Sequence, residues 1–243
     1  MGTRGGRLQA LRCEFSGHAA AGLAVCEGAT ADLRECRLLG CAGPGLRVGG
    51  VGSMAVLRGC EVAGNAANGV AVGASGCATL DGCFVTGNGA AGAAPHGSAT
   101  GSSSVGGADV GAGAGAGAAA SPSPSAGVGP GHGLQAEGAG ARASAQRSAF
   151  CCNAGAGVAA GEHGMVQLTG CRMEDNNNNN NQLGRAVAGG AAGPSPPGVQ
   201  VEVAAHGRVL MSGGCTWRCP GEEATGSAAG LRVVALGSLE MLE

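Results

Sequence analysis

The chain contains no lysine and no tyrosine, only one tryptophan and three phenylalanines, and just 12% of its 243 residues are charged. Without large aromatic side chains, a conventional interdigitated core is hard to build. All 14 basic residues are arginine; against 16 acidic residues they leave a net charge near −2. That balance lacks the basic stripe of a nucleic-acid footprint. No window approaches the roughly 18 consecutive apolar residues that span a bilayer. The first twenty residues carry Arg4, Arg7 and Arg12 and no apolar run, so they do not read as a secretory leader. These absences predict a cytoplasmic protein whose partners include neither nucleic acid nor membrane.

What is present is small and repetitive. The chain holds 52 glycines, and its hydrophobic fraction of 44% is mostly alanine and valine, so buried side chains should be small and stacked. Twelve cysteines would suggest a disulfide framework in a short secreted chain. Their spacing points elsewhere. Cys13, Cys36, Cys60 and Cys83 lie 23, 24 and 23 residues apart, as expected of one buried position in successive turns of a solenoid.

The segment Gly45 to Asn65 shows the unit. A Gly-apolar-x-apolar opening (Gly45-Leu46-Arg47-Val48) recurs at Gly22, Gly69, Gly133, Gly157, Gly198 and Gly230, which makes seven copies. The alternation is that of a strand with one buried face. A second strand carries pairs such as Ala31/Leu33, Ala55/Leu57, Ala78/Leu80 and Val166/Leu168. A corner such as Arg58-Gly59 or Asp81-Gly82 follows. The third strand holds the cysteine and an apolar residue two places on, as in Cys60/Val62, Cys171/Met173 and Cys215/Trp217. Five residues past the cysteine stands Asn65, Asn88 or Asn176, with His18 and Cys41 in the first two coils. Leu46, Val48, Ala55, Leu57, Cys60 and Val62 should face inward, and Arg47 and Glu61 outward. The coil from Gly133 to Asn153 is degenerate, with Ala143, Ala145 and Ser148 where Ala31, Leu33 and Cys36 stand in an earlier coil and only Phe150 keeping its bulk there; it reads as a soft point.

Landmark spacing locates the interruptions. From opening glycine to cysteine position the gaps are 14, 15, 14, 15, 14 and 17 residues; from cysteine position to the next glycine the undisturbed gap is 9. Three gaps are longer, by 41, 18 and 6 residues, and all three enter at one corner. Residues 89–132, with the Ser121-Pro122-Ser123-Pro124-Ser125 tract open to proline-directed phosphorylation, should form a disordered insertion. Residues 177–197 read as a second flexible loop. The expected architecture is all-β: a right-handed parallel β-helix of about seven coils, three short strands each, forming one domain over residues 6–243 with insertions at one corner.

On these residues the chain resembles the right-handed parallel β-helix repeat family, the pectin-lyase-like solenoids. The resemblance implies strands stacked about 4.8 Å apart, a turn ladder of asparagine amides in the left-handed conformation, and pairing of Glu14, Arg37 and Glu61 on neighbouring coils. It also implies what catalysis would need: clustered acids with a nearby Arg or Lys for a lyase, paired Asp for a hydrolase. The four aspartates do not supply that. Asp32 and Asp81 read one position out of register in different coils, Asp109 lies in the first insertion and Asp175 at a corner.

Other candidates read structurally. Gly131-His132-Gly133 looks like a flexible approach to the next strand. His163 and His206 stack at a turn, with Glu162 beside them, and are too few for a metal site; Cys215 and Cys219 with His206 make an equally thin zinc set. Adjacent Cys151 and Cys152 lack a basic neighbour closer than Arg147. The run Asn176 to Asn181 reads as a low-complexity expansion, and Arg47 and Arg232 as a solvated face. No residue is assigned a catalytic, cofactor-binding or metal-binding role, and no cofactor is expected. Neither end carries a recognisable cap, so further coils or another chain should cover them. The reading is a non-catalytic module acting as an interaction or scaffold surface, with a protein or polysaccharide partner at the loop-bearing edge; the alternative is a carbohydrate-binding or carbohydrate-active β-helix.

Overall fold

The computed structural model describes residues 2–89, 131–177, 198–204, 206–218, 231–233 and 237–242, with the side chains of 2–4, 232 and 233 left out. Asp109, the Ser121–Ser125 tract, Asn178 to Asn181, Cys219, Gly230 and the side chain of Arg232 therefore lie outside the described set, as do residues 90–130 and 178–197.

The described residues form three parallel sheets of eight, eight and seven strands. The first sheet contains β1 (Gly2–Arg4), β4 (Leu23–Cys26), β7 (Leu46–Gly49), β10 (Val70–Val72), β13 (Leu134–Ala136), β16 (Val158–Ala160), β19 (Val201–Val203) and β22 (Leu231–Val233). The second contains β2 (Arg7–Leu11), β5 (Thr30–Arg34), β8 (Met54–Arg58), β11 (Cys77–Asp81), β14 (Arg142–Gln146), β17 (Met165–Thr169), β20 (Arg208–Ser212) and β23 (Ser238–Met241). The third contains β3 (Glu14–Ser16), β6 (Arg37–Leu39), β9 (Glu61–Ala63), β12 (Phe84–Thr86), β15 (Ala149–Cys151), β18 (Arg172–Glu174) and β21 (Thr216–Arg218). Consecutive strands go to different sheets, and every sheet partner is three strands away in sequence. The chain thus winds as a parallel β-helix, with β1 opening the first sheet ahead of the expected boundary at residue 6.

Alternation decides which side is inside. In β8, Ala55 and Leu57 are fully buried while Met54 and Arg58 are exposed. Register then stacks like on like: Leu33, Leu57 and Leu80 form one interior column, continued by Ala145 and Leu168. All six inward residues expected of the Gly45 coil are at most 2% exposed, and Arg47 is exposed. Cys36, Cys60 and Cys83 are buried in one column as expected, continued by Ser148 and Cys171, but Cys13, expected in the same column, is exposed on the first described strand of its sheet. No disulfide occurs among the described cysteines.

Each coil turns on left-handed residues at fixed places. Before the cysteine column these are Arg12, Glu35, Gly59, Gly82, Arg147, Gly170 and Gly214, with φ between 47° and 71°. After the third strand they are Gly17, Gly40, Gly64, Gly87, Cys152 and Asp175. The expectation that the asparagine itself turns left-handed is corrected here: the residue before it does. Turning one residue earlier swings the asparagine side chain inward, and Asn65, Asn88, Asn153 and Asn176 are all at most 1% exposed.

The register also corrects the opening assigned to Gly198. Val158 N–H donates to Gln200 O at 3.0 Å, as Leu134 N–H donates to Gly157 O, so Gln200 and not Gly198 occupies the opening position. Val201 and Val203 then face inward and Gln200, expected outside, is fully buried. The anomalous 17-residue gap to Cys215 becomes 15, in line with the other coils. The second excursion lengthens accordingly, to the 20 residues 178–197.

Candidate functional site

The corner after the third strand is where the chain departs. In the uninterrupted coil, Asn65, Ala66, Ala67 and Asn68 lead to Gly69. In the next, Asn88 and Gly89 hand over to Gly131 and His132 at the same points. Gly89 and Gly131 lie so close that a Cβ on Gly89 would sit 2.2 Å from the Gly131 Cα, so the 41-residue excursion 90–130 begins and ends at one point. The following coil binds both ends: Ala154 N–H donates to Asn88 O at 2.8 Å and Gly155 N–H to Gly131 O at 3.0 Å. Two coils further on, Asn177 and Gly198 bracket residues 178–197 in the same way, with Gly198 N–H donating to Asn177 O at 3.2 Å. Gly89, Gly131, His132 and Asn177, assigned from sequence to the insertions, belong to the ordered corner.

Beneath the corner runs a ladder of buried amides. Asn65 Oδ1 accepts the Cys41 N–H at 2.9 Å. Each Nδ2 then donates to the next oxygen: Asn65 to Asn88 and Asn88 to Asn153 at 2.9 Å, Asn153 to Asn176 at 2.8 Å, and Asn176 to Gln200 Oε1 at 2.7 Å. The second hydrogen of each Nδ2 goes to a main-chain oxygen of the preceding coil, at Leu38, Val62, Val85 and Phe150. Asn176 and Asn177, expected to open a low-complexity run, are thus built into the stack. The opening glycines make room for this ladder. A Cβ on Gly45 would lie 2.7 Å from Asn65 Nδ2, and one on Gly157 2.7 Å from Asn176 Nδ2.

A shorter ladder stands beside it. His132 N–H donates to Asn68 Oδ1 at 2.9 Å, and His132 Nδ1 accepts the Ala156 N–H at 3.0 Å. His132 is buried rather than flexible, and burial holds its imidazole down to about 4. An unfolded histidine titrates near pH 6.5, so between those values the unfolded chain binds the extra proton. Stability should fall as pH drops from 6.5 towards 4, by about 3 kcal/mol from this group. His132→Asn keeps an acceptor of the kind Asn68 already supplies, and should flatten that pH dependence in urea titrations. An unchanged profile would mean that His132 is not the titrating group.

The carboxylates are dispersed and held by arginine. Asp32 contacts Arg34 at 3.0 Å and Arg58 at 2.9 Å, and the Arg34 hydrogen bond pulls its carboxyl below the usual range. Asp81 takes Arg147 Nε at 3.1 Å, and Glu174 takes Arg172 at 2.6 Å with its carboxyl likewise lowered. Asp32 pairs with Val56 whereas Asp81 pairs with Arg58, so the two are two positions apart in register rather than one, with the inward Leu57 row between them. The outward row Glu14, Arg37, Glu61 pairs as expected, at 3.7 and 2.9 Å.

The remaining candidates fall separately. His163 and His206 stack with ring centroids 4.9 Å apart, both at left-handed turns. Among the described residues no three His, Cys, Asp or Glu side chains converge on a cation position. Burial pushes the Cys151 and Cys152 thiols up. Trp217 packs inside, 8% exposed, whereas Phe84 stands outside at 46%. No helix among the described residues is long and apolar enough to cross a membrane. Gln200 and His132 are buried structural polar residues whose places the sequence pattern does not mark; the 17-residue gap is the one signal for the first.

Residues 2–108 match a family model described as the right handed beta helix region. No curated protein sequence matches. Among solved structures the chain is similar to the crystal structure of pectate lyase Pel9A, at 13% identity and a TM-score of 0.48, over 91% of this chain and 49% of the lyase; the chain spans about half that protein's length. The sequence match over the first coils and the same three-sheet winding through β23 make this chain a right-handed parallel β-helix.

Proposed function

We propose that the chain is a non-catalytic β-helix module presenting an interaction surface, met by a protein or polysaccharide partner at the edge from which its excursions leave. The observation that carries this reading is the shared exit: both excursions spring from the corner after the closing asparagine, two coils apart. At a strand spacing of about 4.8 Å their roots are about 10 Å apart. Segments of 41 and 20 residues rooted this close together are within reach of one partner. The engagement of Asp32, Asp81 and Glu174 by arginines supports the non-catalytic half of the reading, since none is left as an unpartnered base.

The test joins Gly89 to Gly131, which already touch, and so removes residues 90–130 without stretching the coil. The shortened chain should keep its urea midpoint. It should lose the partners that proximity labelling assigns to the intact chain. A panel of acidic and neutral polysaccharides should show no turnover by either form. Turnover abolished by Asp32→Asn or Glu174→Gln would put the carbohydrate-active alternative first, and identical labelling by both forms would remove the excursion from the interface.

A further inference from the structure

Both described ends of the cysteine column set a more exposed thiol against a buried one, Cys13 with Cys36 and Cys215 with Cys171, and the second pair adds a main-chain N–H on the outer sulfur. Cys171 immediately precedes β18 and Cys215 immediately precedes β21, and Arg172 pairs with Thr216, so the two cysteines stand opposite each other on neighbouring coils. Neighbouring parallel strands lie about 4.8 Å apart, within the roughly 4.4–6.8 Å Cα window of a disulfide. The same holds for Cys60 and Cys83, but those are each only 2% exposed. Cys215 packs against the core but is only half-buried, β21 being the last described strand of its sheet, so its thiol is partly accessible while that of Cys171 is buried beneath it. Cys171 N–H donates to Cys215 Sγ at 3.4 Å, and Cys215 Sγ itself lies 3.2 Å from Ser212 O. Hydrogen bonding from the Cys171 thiol, aided by main-chain N–H groups, holds Cys215 below the ordinary thiol range, and the same contact with burial raises Cys171. The more acidic thiol is also the more accessible one, the arrangement of an attacking and a resolving cysteine.

We propose that Cys215 and Cys171 are a redox site for low-molecular-weight disulfides, and that its oxidised form is an intramolecular bond pinning the coil of β21 to the coil of β18. The Cys215 thiolate attacks one sulfur of the small disulfide, forming a mixed disulfide and releasing one small thiolate. Cys171 loses its proton to that thiolate and attacks the Cys215 sulfur, forming the Cys171–Cys215 bond and releasing the second small thiol. The protein gives up two thiol protons and two electrons, and the small disulfide is reduced to two thiols. Excess small thiol reverses both steps.

Cysteine-to-serine variants suit the test because Ser148 already occupies this column, accepting the Cys83 N–H at 3.1 Å. The full chain is incubated with glutathione disulfide, alkylated and mapped by mass spectrometry, with emission of the single tryptophan, Trp217, followed in parallel. The wild type should lose the Cys171 and Cys215 thiols together, yield a linked 171–215 peptide and show quenched emission, all restored by reduced glutathione. Cys171→Ser should stop at a persistent mixed disulfide on Cys215, and Cys215→Ser should give neither product. A linked peptide joining Cys215 to Cys219, or a wild-type chain in which Cys215 stays free while Cys13 or Cys152 is modified, would overturn the proposal. So would a mixed disulfide that persists equally in wild type and Cys171→Ser.

Discussion

Phe150→Ala is expected to destabilise the chain by about 3–5 kcal/mol, although it lies in the coil that looks weakest by composition. That coil places Ala136, Ala143 and Ala145 where its neighbours carry Val72, Ala78 and Leu80, yet each of its inward residues is at most 4% exposed. The layer is closed, with Leu134 where its neighbours carry Val70 and Val158 and Phe150 supplying the largest side chain. Phe150 stacks between Val85 and Met173, replacing a valine-sized side chain by a phenyl ring just where the opposite wall shrinks from leucine to alanine. Truncating the ring leaves a cavity lined by methyl groups that cannot reach across it. Urea titration measures the loss, and a double variant tests its cause. Ala145→Leu with Phe150→Val copies the Leu80 and Val85 of the coil below, so it should be markedly more stable than Phe150→Val alone. Ala145→Leu alone should overpack and cost about 1–3 kcal/mol. A double variant no better than its parents would show that Phe150 is not compensating for Ala145.

That exchange illustrates what was legible in the sequence. A parallel β-helix writes its interior as columns, so the period of the Gly-apolar-x-apolar opening and of the cysteines was enough to predict three strands per coil, the inward face and the corner that takes the insertions. Residues such as Leu57 and Cys60 are fixed by burial alone, and burial leaves a periodic trace. The polar interior leaves less. His132 sits in a Gly-rich approach with no periodic neighbour, and only the Asn68 oxygen and the Ala156 N–H show why it is buried. Sequence alone does not place the left-handed residue, because both members of Gly64-Asn65 tolerate that conformation, and in later coils Cys152 and Asp175 adopt it. Gln200 departs from the rule that glycine opens a coil. The glycine is there because the closing asparagine of the same coil fills the space of its Cβ. In the coil that Gln200 opens, the sequence has Pro220 five residues past Cys215, with no amide to offer. Gln200 instead carries its own amide to Asn176, and the ladder gains a last rung from the other end of the coil. Such a coupling between two residues 20 apart cannot be seen in either alone.

The ladder itself should show the other large effect. Asn153→Ala is expected to cost about 4 kcal/mol, because it strips several buried groups at once at about 1–3 kcal/mol each. Asn153 Oδ1 accepts both the Asn88 main-chain N–H at 3.1 Å and Asn88 Nδ2 at 2.9 Å; its own Nδ2 donates to Val85 O at 3.2 Å and to Asn176 Oδ1. The alanine leaves the Asn88 N–H without its acceptor and takes the side-chain donor from the Val85 carbonyl, which keeps its ladder bond to β15, in a site closed to solvent, while Asn176 Oδ1 keeps the Asn153 main-chain N–H. Replacing both sides of a contact by apolar groups can be nearly neutral, but here the orphaned partners belong to the backbone and cannot be replaced. The cost should therefore exceed that of Arg37→Ala, which breaks only exposed ion pairs worth at most about 1 kcal/mol. Hydrogen exchange locates it: the Asn88 amide should lose protection first, with the coil of β12 and β15 loosening ahead of the coil of β6. A loss below that of Arg37→Ala, or protection at Asn88 unchanged, would mean that stacking of the apolar columns, and not the amide ladder, holds the coils in register at the corner from which the excursions leave.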